Sequence, residues 1–284
     1  MSAILMDDVI ARVGTLPPLP DTIHRLVNVV SDPASTLAEI VETIRYDQVL
    51  TAEVLRLCNS AYFGLARSVE SLDDAVRLLG TVKVLQLVFA AHGRSMLSRP
   101  QSGYGLPAGA LWLHSVAVAL AGQYLARRMQ LSQAGLLFTA GLLHDVGKVV
   151  LNEFVAQEYA EICRLVTEEH RSFAEAEALV LGFTHSEIGG RLAEAWNLPP
   201  VIVRCIRYHH DPEALPAPDA LVDAVHLADV VCITLGVGAG DDGLSYRACA
   251  AVLGRYGLVE SELETVEADV VAELKSVQAL FAAK

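Results

Sequence analysis

Apolar residues recur along this chain at three- and four-residue intervals, and no segment sustains the apolar–polar alternation of a half-buried strand. The stripes Ile23/Leu26/Val27/Val30, Leu37/Ile40/Val41/Ile44 and Leu72/Ala75/Val76/Leu79 each predict one buried helical face. Two of these helices have legible starts. Thr36 with Glu39 spells a capping box, and Ser71 with Asp74 an aspartate variant of it. The pattern predicts an all-α fold that begins with a small helical bundle.

Ser, Pro and Gly concentrate in "SRPQSGYGLPAG" at 98–109, the strongest boundary signal in the chain. A second loop, "GVGAGDDG" at 236–243, precedes an acidic stretch, "ESELETVEADVVAELKSVQALF", expected to be a helix packed on one side. These signals divide the chain into an N-terminal helical subdomain at 1–105, a second helical subdomain at 106–240 and a C-terminal helical extension at 241–284.

Composition supports a large core. The 284 residues are 53% hydrophobic, with a mean hydropathy of +0.40. No apolar run reaches the length of a membrane span, and no basic-then-apolar leader opens the chain, so a cytoplasmic protein without membrane contact is expected. The net charge of −13 opposes binding to nucleic-acid polymers, while a small phosphorylated ligand held by local cations stays open. Cys58, Cys163, Cys205, Cys232 and Cys249 are scattered through apolar stretches without a C-x-x-C pair, which predicts reduced thiols rather than a disulfide framework or a thiolate zinc site.

Ionisable residues interrupt the apolar stripes of the second half. In "GLLHDVGKVVL", at 141–151, His144, Asp145 and Lys148 break what should be core. Such groups cost several kcal/mol unless paired or bound to a metal. His114 shares the stripe of Leu111, Val118 and Leu125, and Asp229 that of Val222, Val225, Cys232 and Ile233, so both should point inward. Thr184 and Glu187 form another capping box, which places His185 in the first turn of a helix. His209 and His210 end the helix "VIVRCIRYHH", where the dipole favours positive charge, a metal or a proton. His144 and Asp145 would diverge by ~100° on a regular helix, but both lie just before Gly147 and can converge on one centre, and an aspartate can bridge two ions. Imidazoles and carboxylates without thiolates suit Fe, Mn, Zn or Co. Two such ions ~3.5–4 Å apart can clamp a phosphodiester and activate a water, with Lys148 offered to a phosphate oxygen. Any one of these histidines alone reads as a hydrogen-bonded core residue, the class to which His24, His92 and His170 are assigned; His226 reads as a partner of the ligands. The joint pattern carries the metal reading.

The order His114, His144-Asp145, Asp229 resembles the H…HD…D signature of the HD superfamily of metal-dependent phosphohydrolases, and "HDVGK" with His185 and His209-His210 resembles its HD-GYP branch. In the first half, "LPPLPDTIHRLV", "YDQVLTAEVLRLCNSAYFG" and "SLDDAVRLLGTVKVLQLVF" resemble the HDOD family, the HD-related output domain of bacterial signalling, over roughly residues 12–235. The resemblance implies an N-terminal bundle packed on an HD-type helical domain, with His114, His144, Asp145, His185, His209, His210 and Asp229 around a divalent, dinuclear metal site. It also implies a signalling or adaptor role. Two features depart from the HD-GYP pattern: Asp211 stands where a glutamate follows the histidine pair, and the G-Y-P stretch is missing.

Two functions are therefore expected to compete. The first is an output or adaptor domain acting on a signalling protein in trans or answering a small phosphorylated ligand, since no receiver, kinase or cyclase segment is recognisable. The conspicuous "RLCNSAYFG" at 56–64 offers it polar groups but no catalytic pair, and each of these residues also reads as part of a self-satisfied turn. The alternative is a metal-dependent phosphohydrolase acting on a nucleotide or cyclic dinucleotide. A plugged site favours the first, an open one the second.

Overall fold

The capping patterns become helix starts in the structure, a computed structural model that describes residues 9, 11, 19–32, 34–45, 47–60, 62–65, 67–238, 240 and 246–282. Among the described residues the first half contains α1 (Asp21–Ser31), α2 (Leu37–Arg45), α3 (Gln48–Cys58), α4 (Leu72–Leu79) and α5 (Thr81–Leu97). Glu39 accepts from Thr36 N at 2.7 Å while Thr36 Oγ1 accepts from Glu39 N at 3.4 Å, closing the predicted box. The Ser71 box is one-sided. Ser71 Oγ accepts from Asp74 N, but the Asp74 carboxylate turns to the guanidinium groups of Arg67 and Arg77.

In "RLCNSAYFG" the Asn59 side chain clamps its own loop. Its Nδ2 donates to Leu55 O and Val69 O, and its Oδ1 accepts from Val69 N at 2.7 Å. The amide of Asn59 is thus spent on the turn, as the self-satisfied reading expects. Ala61 and Ala66 lie outside the described residues, as do Ala239 and residues 241–243 of the second loop.

The second half continues with α6 (Ala110–Arg128), α7 (Ala134–Leu143), α8 (Val146–Glu168), α9 (Phe173–Leu181), α10 (His185–Ala195), α11 (Pro200–Tyr208), α12 (Ala220–Thr234), α13 (Ala250–Tyr256) and α14 (Glu260–Ala282). Among the described residues the fold is all-α, with no strand. Helix α6 is the axis, buried along most of its length between α7, α12 and α14. Gly141 lets α7 lie directly on α6, because a Cβ there would come 2.8 Å from Ala119 Cα. That close approach brings His114 and His144 together.

One continuous apolar core runs from the bundle to α14. Trp112 Nε1 donates to Ala90 O at 3.0 Å, and Lys83 pairs with Glu273 at 2.9 Å, so α5 is tied to α6 and α14. The acidic helix buries Val266, Val270, Leu274, Val277 and Phe281 on its inner face. Residues 98–109 are packed rather than loose: Gln101, Tyr104 and Leu106 are buried, Gln101 pairs with Leu106, and Gly103 N donates to Asn152 Oδ1. No single helix among the described residues is long and apolar enough to cross a membrane. All five cysteines are free thiols.

Candidate metal centre

The apolar run of α7 stops at Leu143, and α8 begins at Val146, so His144 closes one helix and Asp145 opens the next. Asp145 takes φ −97° and ψ 12°, a bend that turns both side chains toward one point, with His144 Nε2 3.4 Å from Asp145 Oδ2. Gly147 makes the junction possible. A Cβ there would stand 2.7 Å from Gly189 N, and Gly189 in turn has no room for a side chain against Ile206. Helices α8, α10 and α11 meet at these glycines, which carries His185 and His209 to Asp145.

Each of four imidazoles is held by its outer nitrogen. Nδ1 of His114 donates to Val237 O at 2.8 Å, that of His144 to Gly141 O at 2.7 Å and that of His209 to Ile206 O at 2.8 Å, while His185 Nδ1 donates to Glu177 Oε2 at 2.7 Å. Anchoring Nδ1 fixes the ring and directs Nε2 inward, the arrangement that prepares histidine to ligate a metal.

The inner atoms form two groups, Asp145/His185/His209/His210 and His114/His144/Asp229, and within each the candidate ligand atoms lie within 4.8 Å of one another. Together they contain all seven residues read from the sequence as ligands. Asp145 stands between them: Oδ1 faces His185 Nε2 at 3.3 Å and His209 Nε2 at 3.8 Å, whereas Oδ2 faces His144 Nε2 and, at 3.7 Å, His114 Nε2. Asp229 reaches His114 Nε2 at 3.0 Å with one oxygen and His210 Nδ1 at 3.5 Å with the other.

The donor set fits a divalent cation. His144 Nε2, His209 Nε2, Asp145 Oδ1 and Asp229 Oδ2 are buried without a hydrogen-bond partner, while Asp145 Oδ2 meets the Lys148 ammonium at 2.9 Å; such a cost a native interior avoids unless something else satisfies the atoms. The remaining charge is balanced by protons and one ammonium. Burial opposes protonation of His144, yet the Asp145 and Asp229 carboxylates raise its pKa to about 10. Burial likewise opposes protonation of His185, and Glu177 with Asp145 raises it to about 9. Asp145 is held well below the usual carboxylate range, against its burial, by Lys148 and His144. His209 is pushed down to about 3 by burial and by His144, leaving Nε2 a neutral lone pair. A cation entering here would replace protons with stronger positive charge on atoms already in place.

Lys148 lies inside the centre. Its Nζ is 2.9 Å from Asp145 Oδ2 and 5.6 Å from the centre of the Tyr104 ring, and only 3% of the residue is exposed. Of the histidines outside the seven, His226 donates from Nδ1 to His209 O and accepts from Cys249 N at Nε2, so it holds the backbone of a ligand-type residue. His24 bridges to Asn197 O, away from the centre.

Three supporting residues escaped sequence reasoning. Glu177, fully buried, accepts from Tyr104 Oη at 2.6 Å, from His185 N and from His185 Nδ1. Tyr104, in the Pro- and Gly-rich segment, therefore reaches the centre. Tyr246 stacks on His210 with ring centres 4.4 Å apart and accepts from Ala174 N through its hydroxyl. No sequence signal marks Glu177, because α9 exposes Leu179 and hides the glutamate, the reverse of what its pattern suggests.

Comparison with known proteins agrees with this architecture. A family model described as the HDOD domain matches residues 16–212. An HDOD domain protein of unknown function from Geobacter sulfurreducens is 32% identical with a TM-score of 0.72, over 98% of this chain and 95% of that one. A protein from Shewanella amazonensis described as a candidate phosphohydrolase is 26% identical with a TM-score of 0.69, over 96% and 97% of the two chains. An uncharacterized protein of Treponema pallidum is 25% identical over 222 residues, which are 77% of this chain but 42% of that longer protein. On the family match and the Geobacter relative, this chain belongs to the HDOD domain family.

Proposed function

We propose that this chain is a signal-transduction output module whose buried centre holds divalent metal as a structural and conformational element, while its surface engages a signalling protein in trans. The observation that carries this reading is the closure of the centre. His114, His144, Asp145, His185, His209 and Asp229 are each at most 2% exposed, and His210 lies under the Tyr246 ring. His210 is the one residue of the seven that is partly exposed, and the Tyr246 ring stacks on it. The Lys148 ammonium is engaged with Asp145, not turned to solvent.

His114, His144 and Asp229 would hold one ion and His185, His209 and His210 a second, with Asp145 shared. Nitrogen and oxygen donors without thiolate suit Fe, Mn, Zn or Co. Such ions supply Lewis acidity and can lower the pKa of a bound water. The chain's own residues orient the imidazoles through Glu177 and three backbone carbonyls, and exclude water. With a net charge of −13, nucleic-acid polymers fall outside the partners proposed.

A phosphohydrolase is the second reading, and one observation favours it. A cavity of about 570 Å³ lies outside His210, lined by Thr184, Ser186, Tyr246 and Arg247 with Glu175, Glu187 and Asp211 among others, where a phosphorylated ligand could meet the Arg247 guanidinium and that of Arg207, which is paired with Glu194. The experiment is incubation of metal-replete protein with cyclic di-GMP and with bis(p-nitrophenyl) phosphate. The adaptor reading expects negligible turnover. Several turnovers per minute, abolished in Asp145→Ala and His144→Ala, would replace it with the enzyme.

A further inference from the structure

A second cavity, of about 330 Å³, lies between α5, α8 and α10, where the bundle meets the second half. Its volume is within the ~300–1,000 Å³ of small-molecule sites. Met96, Val146, Val149, Leu192 and Trp196 give it an apolar interior, and its polar groups, His92, Ser95 and Arg99, all come from the end of α5 and the residues just after it. Arg99 is exposed and makes no ion pair with any described residue. Burial pushes the His92 pKa down despite the nearby Asp47 carboxylate, so its ring is neutral at pH 7 and able to hydrogen-bond.

We propose that this cavity binds a small organic anion, a monocarboxylate with an apolar body of about two rings, its carboxylate on Arg99 and its body between Val149 and Trp196. The apolar walls exclude a sugar phosphate, and a single guanidinium matches one carboxylate with paired, charge-assisted hydrogen bonds. The placement gives such a ligand a route to the centre. Val146 directly follows Asp145, and Leu192 lies seven residues, about two turns, along the helix that begins with His185. The site is built without any metal ligand and stands or falls independently of the metal reading.

The test uses the full chain and 1-naphthaleneacetate, with 2-(1-naphthyl)ethanol as its uncharged counterpart, in a calorimetric titration. The expected result is saturable binding of the acid, weakened about tenfold or more in Arg99→Gln, with the alcohol binding wild type no better than that variant binds the acid. Ser95→Trp, at an exposed position on the lining, should block both compounds while leaving the melting temperature unchanged. Absence of saturable acid binding up to millimolar concentration, or binding that neither variant alters, would overturn the proposal. Equal affinity for the acid and the alcohol would overturn the carboxylate assignment.

Discussion

Glu177 Oε2 accepts from both the backbone N–H and the Nδ1–H of His185, at 2.9 and 2.7 Å, with both residues fully buried. One carboxylate thus fixes where α10 begins and how its first side chain is turned. A carboxylate behind a ligating histidine also raises the basicity of the opposite nitrogen. Glu177→Gln can keep an oxygen facing His185 and an amide facing Tyr104, so it removes charge with little change of shape. Metal affinity in this variant should fall about 10- to 100-fold, measured by competition with a chelator of known affinity. Unchanged affinity would mean that His185 is not a ligand.

Metal uptake should depend on pH with a definite sign. A ligating imidazole must be unprotonated, and in the metal-free centre the pKa values of His144 and His185 are raised to about 10 and about 9. Protons therefore compete with metal throughout the neutral range, and affinity should rise with pH up to about 9. Metal added at pH 7 in weak buffer should release protons, up to about two per chain. Affinity that falls or stays level between pH 6 and 8 would contradict this balance of charge.

Gly147→Ala tests the helix contact that assembles the centre. The added methyl would meet backbone of α10 rather than a side chain that can swing away. Overpacking of this kind costs about 1–3 kcal/mol when the surroundings can adjust, and here the effect should lie at the upper end. The melting temperature and the metal content should drop together. A variant with native stability would show that α8 and α10 are not held at the distance described.

Tyr246→Ala removes the ring stacked on His210, an interaction worth about 1 kcal/mol beyond burial. Stopped-flow extraction by a chelator should speed up by about fivefold, the factor that this energy implies. Extraction at the wild-type rate would show that Tyr246 does not cover the centre.

The two halves should melt as one unit. Cutting the chain near Gly105 would uncover Ala90, Gly93 and Lys83, which contact Trp112, Leu142 and Glu273 respectively. Calorimetry of the whole chain should show one transition, and the fragment 1–105 should be aggregated or molten. A monomeric, sharply melting fragment would mean that the halves are independent domains.

Much of this arrangement is legible in the sequence because burial of an ionisable side chain leaves a mark in an apolar stripe. His114 and Asp229 each sit where a leucine or valine is due, and His185 follows a capping threonine that fixes its place in the first turn. Glu177 leaves no such mark. It shares a short helix with the capping Glu175, and pattern alone would place it outside and Leu179 inside, the reverse of what the Tyr104 and His185 contacts impose. Segment 98–109 also misleads by composition. Pro and Gly announce a turn, and the turn is there, but pairing of Gln101 with Leu106 and of Gly103 with Asn152 satisfies its backbone well enough to bury Tyr104. The cavity between α5, α8 and α10 draws its lining from positions more than a hundred residues apart, which no local pattern connects.

Asp145 turns one oxygen to His185 and His209 and the other to His144 and His114, so metal content of the wild type and of Asp145→Ala, purified without added metal and measured by elemental analysis, tests the account most directly. The account predicts one to two equivalents of a first-row transition metal per wild-type chain and loss of most of it in the variant. Metal-free wild type that also fails to take up added Fe, Mn, Zn or Co, or a variant that retains the full complement, would contradict it.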